Sequence, residues 1–390
     1  MMSGKTLLVL RVGILLGFGL PLSFGADDTG LMRPRVALTT LDGPGNVGQY
    51  TSIAMGADGL GLISYHDKTN GNLKVAHCSN QACSTATFTT LDDTGDVGLF
   101  TSVTIGADGL GLISYYDATN NRNLKVAHCS NQACSSATLT TLDDTGDVGQ
   151  YTSVTTGADG LGLISYYDVT NGNLKVAHCS NRACTATILT TLESAGDVGQ
   201  DTSVTIGADH LGLISYYDAT NGNLKVAHCS NQVCSSATLT ILDSAGDIGQ
   251  FTSVTMGADG LGLISYHDAT HHTLKVAHCS NQICGSATLT TLDRVGNVGQ
   301  DTAVTMGADG LGLISYRDAT NHALKVAHCS NRACSSATLT TLDSAGDVGQ
   351  DTSVTIGVDG LGLISYHDAT NGNLKVAHCS DRSCVPHHRR

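Results

Sequence analysis

The 390-residue chain contains no Trp, one Glu (Glu193), four Pro and only 4% aromatic residues. Each shortage excludes something. Without Trp, the broadest aromatic platform for a ligand is missing. With one Glu, a hydrolytic pair of carboxylates would have to come from Asp, and no Asp pair stands out from the rest. No segment carries helical periodicity, which excludes a helical bundle. Beyond the first two dozen residues, no apolar run approaches the ~20 residues of a membrane span. Positive charge is also scarce, at 20 Lys and Arg against 34 Asp and Glu. Setting aside Lys5 and Arg11 at the start leaves 18 against 34, a net charge of −16. A field of that sign repels nucleic acid and anionic lipid, so neither nucleic-acid binding nor membrane insertion is expected.

Repetition dominates what remains. A block of about fifty residues is written seven times between Leu41 and Cys384, with few differences between copies. A period of this size marks solenoids, propellers or arrays. The first copy holds four short alternating or β-branched segments: Thr51–Met55, Leu60–Asp67, Asn72–Cys78 and Ser84–Leu91. Tight turns separate them, with Gly56–Gly59 first, Asn70-Gly71 second and a loop between cysteines third. Four antiparallel strands per repeat describe a propeller blade. The last copy lacks its fourth strand, and residues 35–41, ahead of the first copy, match it. The expected fold is therefore all-β, a seven-bladed β-propeller closed by the N-terminal strand completing the C-terminal blade.

The domain boundaries follow. Residues 1–25 read as a signal peptide, with Lys5 before an apolar stretch and small residues Ser23 and Gly25 just ahead of a cleavage point after Gly25. Residues 26–34 form a linker, 35–384 the propeller and 385–390 a tail. The 14 cysteines fall into one pair per repeat. In an exported chain they read as the disulfides Cys78–Cys83, Cys129–Cys134, Cys179–Cys184, Cys229–Cys234, Cys279–Cys284, Cys329–Cys334 and Cys379–Cys384. Secretion, or another extracytoplasmic location, is expected.

Several repeated positions carry chemistry. If Asn70-Gly71 is a two-residue turn, Asp67 lies opposite Lys74, and Asp168, Asp218 and Asp368 face Lys175, Lys225 and Lys375. His77 and its six counterparts before each first Cys read as structural, packing or bonding between blades. The loop between blades, Asp92 to Gly98 and again Asp143 to Gly149, gathers carboxylates. Asp92, Asp96, Asp143 and Asp147 are the candidate Ca²⁺ ligands, with ordinary turn chemistry as the alternative. No other cofactor is expected.

Variation between copies concentrates on one face. One variable column reads Tyr50, Phe100, Tyr151, Asp201, Phe251, Asp301, Asp351. A second reads His66, Tyr116, Tyr167, Tyr217, His267, Arg317, His367. The aromatic members of the first column and all of the second are the candidate ligand-binding residues. A solvated rim free to vary is the alternative.

The blade core Gly111-Leu112-Ile113-Ser114-Tyr115-Tyr116-Asp117-Ala118-Thr119-Asn120, with Asn123-Leu124-Lys125-Val126-Ala127, resembles the repeat of exported bacterial β-propellers of the sialidase-like type. The resemblance spans all copies and implies the fold, while many such proteins have no assigned activity. The chain departs from the enzymes of that class. It lacks their aspartate-box Trp, their cluster of three arginines and their Tyr–Glu catalytic pair. No catalytic residue is therefore assigned. The expected function is lectin-like binding of carbohydrate at several weak, equivalent sites on one face. A protein-interaction or adhesion scaffold is the rival, and a sialidase-like glycan hydrolase stands third. The expected partners are accordingly glycans or a surface protein.

Overall fold

The computed structural model describes residues 36–43, 45–119 and 122–385. The signal peptide expected at 1–25, the linker at 26–34 and the tail beyond residue 385 lie outside the described residues. The described residues form 28 strands in seven four-stranded antiparallel sheets, and none is helical. No helix among them is long and apolar enough to cross a membrane.

Six blades run in order along the chain, and the first comprises Val47–Met55, Gly61–Asp67, Asn72–Cys78 and Ala86–Asp92. The seventh is composite. Its strands Val348–Ile356, Gly362–Asp368 and Asn373–His378 are completed by Ala37–Asp42, which pairs antiparallel with Asn373–His378. The chain thus closes on itself as the repeat pattern expects, and the ring has no free end.

The second strand of the first blade is buried along its whole length because neighbouring blades cover both its faces. The apolar core accordingly lies between blades. Leu62, Leu73 and Val75 of the first blade pack with Val97, Ile113 and Tyr115 of the second. Hydroxyls complete the seam: Thr101 donates to Ser64 at 2.9 Å, and Ser52 Oγ accepts the Val103 N–H at 3.1 Å. Close approach explains one obligatory glycine. Gly98 has φ +91°, and a Cβ there would stand 2.7 Å from the Leu73 backbone.

All seven expected disulfides form, each with Cα atoms 4.8 Å apart. They close the loop between third and fourth strands, at the end of the blade opposite the inter-blade connections.

The lysine column is placed differently from expectation. The second turn is not a two-residue hairpin. Asp67 pairs in register with Asn72, and Lys74 lies opposite Tyr65. Asp67 instead accepts the Asn70 N–H and side-chain amide, at 3.2 and 2.9 Å, which caps a longer turn. Lys74 lies 3.9 Å from Asp67 but only 2.6 Å from Asp42, at the end of the preceding fourth strand. Tyr65 donates to the same carboxylate at 2.6 Å. Each blade thus grips the last acidic residue of the previous fourth strand with one phenol and one ammonium. Burial pulls the Asp92 carboxyl upward, but hydrogen bonds from Lys125, Thr94 and Tyr115 outweigh it and hold its pKa below the usual value. The single Glu occupies this same anchor: Glu193 accepts from Tyr216 and Lys225.

Candidate functional site at the channel mouth

The first strands of all blades surround the ring axis, and each carries a β-bulge near its start. In the first blade Gln49 pairs with His66 and Ser52 with Ser64, so two residues oppose one. The first residue of each bulge is the first variable column. Tyr50, Phe100, Tyr151, Asp201, Phe251, Asp301 and Asp351 all have φ between 49° and 53°, the left-handed region that bulky side chains rarely adopt. Aromatic residues held there store local strain, a feature that concentrates at functional sites. The bulge turns all seven side chains toward the axis, where with the following Thr residues they line one cavity of about 190 Å³.

The wall is asymmetric. Tyr50, Phe100 and Tyr151 form a continuous arc, with ring centroids 4.6 and 4.7 Å apart. The opposite wall carries Asp201, Phe251, Asp301 and Asp351. Each carboxylate faces the backbone of the next blade: Asp201 accepts the Phe251 N–H at 2.8 Å, Asp301 that of Asp351, and Asp351 that of Tyr50. These residues are half-buried in the cavity wall, and desolvation pushes Asp201 up to about 6. Desolvation, reinforced by the Asp351 charge, pushes Asp301 up to about 7. Asp351 is raised chiefly by burial. The Tyr50 phenol is raised to about 12 by burial and by the Asp351, Asp96 and Asp301 charges.

The second variable column lies behind the first and is engaged with the next blade. His66 meets Asp96 at 3.0 Å, Tyr116 Asp147 at 2.8 Å, Tyr167 Asp197 at 2.5 Å and Tyr217 Asp247 at 2.5 Å. His267 meets Asn297 at 3.1 Å, Arg317 Asp347 at 2.8 Å and His367 Asn46 at 3.2 Å. These residues do not line the cavity. They buttress it: the Tyr50 and His66 rings lie 6.3 Å apart, and Phe100 and Tyr116 6.1 Å. Burial lowers the His367 pKa to about 4 despite two nearby carboxylates.

The loop carboxylates do not converge on a common cation. Asp92 is held by Lys125 and Tyr115, Asp143 by Lys175 and Tyr166, Asp96 by His66, and Asp147 by Tyr116 and Arg122. Among the described residues no three His, Cys, Asp or Glu side chains gather as metal ligands. The four carboxylates expected as calcium ligands thus sit in separate hydrogen-bonded settings rather than in one cluster. The His column also has a partner within its own blade rather than between blades: His77 bonds Asp58 of the first turn at 2.8 Å.

All seven members of the first column point at a single axis, so the copies contribute to one composite cavity. Asp201, Asp301 and Asp351 belong to it although only the aromatic members were candidates. Their presence in the same variable column was the available signal.

No protein-family model and no curated protein matches this sequence. Solved structures do match its fold. Hydrazine synthase of Kuenenia stuttgartiensis is similar with a TM-score of 0.58 and 11% identity, covering 84% of this chain and 95% of that one. The α-L-arabinofuranosidase Arb93A of Fusarium graminearum is similar with a TM-score of 0.54 and 12% identity, covering 88% and 97%. The NanB sialidase of Streptococcus pneumoniae is similar with a TM-score of 0.50 and 9% identity, covering 86% and 68%. Likeness at this identity establishes the propeller fold and not the chemistry it carries.

Proposed function

We propose that this chain binds carbohydrate at one composite seat in its channel mouth and leaves it chemically unchanged. The observation behind this reading is the pairing, in one cavity, of the aromatic arc Tyr50–Phe100–Tyr151 with partly desolvated carboxylates. A sugar offers C–H faces to aromatic rings and hydroxyl donors to carboxylate oxygens, so both walls have a use. The cavity is smaller than the ~300–1,000 Å³ of drug-sized pockets, which suits one sugar ring rather than a chain. No His, Lys, Cys or Glu lines it as base or nucleophile, and each of its three carboxylates accepts a backbone N–H. That favours binding over turnover. The seven disulfides support an oxidising, extracytoplasmic setting for it.

A glycan array probed with the oxidised chain, followed by titration calorimetry of any hit and analysis of the recovered glycan, tests the reading. One intact glycan bound per chain is expected. A stoichiometry near the number of blades, or a cleaved glycan, would overturn it. Silence across the array would move the function to a protein partner.

A further inference from the structure

The two walls of the cavity also discriminate among sugars. Its lining contains three carboxylates, four aromatic rings and threonine hydroxyls, and no cationic or amide side chain. An anionic sugar would meet like charge with nothing to neutralise it. A neutral sugar's hydroxyls would hydrogen-bond the carboxylates but leave their charge without a counter-charge. Asp201, Asp301 and Asp351 do not converge into a metal-ligating group. An organic ammonium against aromatic faces satisfies both walls. We propose, building on the carbohydrate reading above, that the seat selects a sugar carrying a free ammonium group. Its ring stacks on Tyr50, Phe100 and Tyr151, and its ammonium lies toward Asp301 and Asp351.

The charged surroundings fit this assignment. Arg317 is the basic group whose field reaches Asp301 and Asp351, and it donates a hydrogen bond to Asp347 at 2.8 Å. His367, behind Asp351 in the same blade, is kept neutral near pH 7 by burial, with a pKa of about 4. Tyr50 and Tyr151 stay protonated, raised by burial and then by neighbouring carboxylates. Asp96 and Asp197 lie behind the arc and add negative potential. Asp201 and Asp301, raised to about 6 and about 7, still hold protons at mildly acid pH. An arriving ammonium favours their ionised forms, so binding releases protons and strengthens as pH rises from 5 to 7.

Titration calorimetry of the oxidised chain against glucosamine, N-acetylglucosamine, glucuronate and tetramethylammonium decides the matter. At pH 7 glucosamine is expected to bind about tenfold or more tightly than N-acetylglucosamine, with no heat from glucuronate. At pH 5 its affinity falls about tenfold, and the heat at pH 7 depends on the buffer's ionisation enthalpy. Asp301→Asn should erase the preference, and Asn tolerates the left-handed backbone there. Equal binding of both hexosamines would overturn the ammonium selection while leaving the carbohydrate reading standing. Tetramethylammonium binding as tightly as glucosamine would make the seat a general cation site and remove the sugar from it. No binding of any probe, with a glycan-array hit of another class, would also overturn the selection.

Discussion

The two ends of each blade obey opposite rules. At the disulfide end, every copy repeats one pair, from His77–Asp58 to His378–Asp359, at 2.7–3.0 Å. At the channel mouth, the bulge residue changes from aromatic to acidic around the ring. Between these extremes, the buttress column varies but every member keeps a polar partner: His66, Tyr116, Tyr167, Tyr217 and Arg317 face Asp, and His267 and His367 face Asn. Sameness, and change that keeps a polar partner, both mark residues that satisfy one another. The bulge column changes chemistry at side chains that face the shared cavity, as the proposed ligand seat requires.

If that contrast is right, breaking an invariant contact costs stability, and changing the mouth alters recognition. The largest effect is expected from Lys125→Met, which leaves Asp92 buried without its ammonium. A loss of about 3 kcal/mol should appear in denaturant unfolding at pH 7. Replacing Cys179 and Cys184 together by Ala opens one short loop and should cost about 2 kcal/mol in the same assay.

The mouth should behave in the opposite sense. Burial raises the Asp201 pKa from 3.8 to about 6 in the folded chain. Its contribution is therefore fully present below the unfolded value and lost as pH rises through the folded one. Asp201→Asn should match the parent near pH 4 and become more stable by about 1–2 kcal/mol at pH 8, read from paired melting curves. The smallest effect is expected at the solvent-facing disulfide end. His77→Ala removes a partly exposed bond to Asp58, and its unfolding free energy should fall by under ~1 kcal/mol in the same denaturant assay.

The repeat period, the turns and the displaced N-terminal strand carry the fold almost completely, and the cysteine spacing carries the disulfides. These features are local or periodic. What the sequence hides is contact between copies. Lys74 has a visible acid seven residues away, yet its shorter bond is to Asp42, 32 residues away across a blade boundary. The first strand starts at Val47 rather than Thr51 because the bulge at Tyr50 interrupts its alternation. Both variable columns could be found by comparing copies. Only the bulge geometry separates them, turning one to the axis and leaving the other behind it.

The most direct measurement is glycan binding by a triple variant, Tyr50→Asn with Phe100→Asn and Tyr151→Asn. Asn suits the left-handed bulge, and the buttress and anchor contacts stay in place. Loss of glycan binding from a protein that still unfolds cooperatively is the expected result. Undiminished binding by the folded variant would contradict the assignment of the channel mouth as the ligand seat.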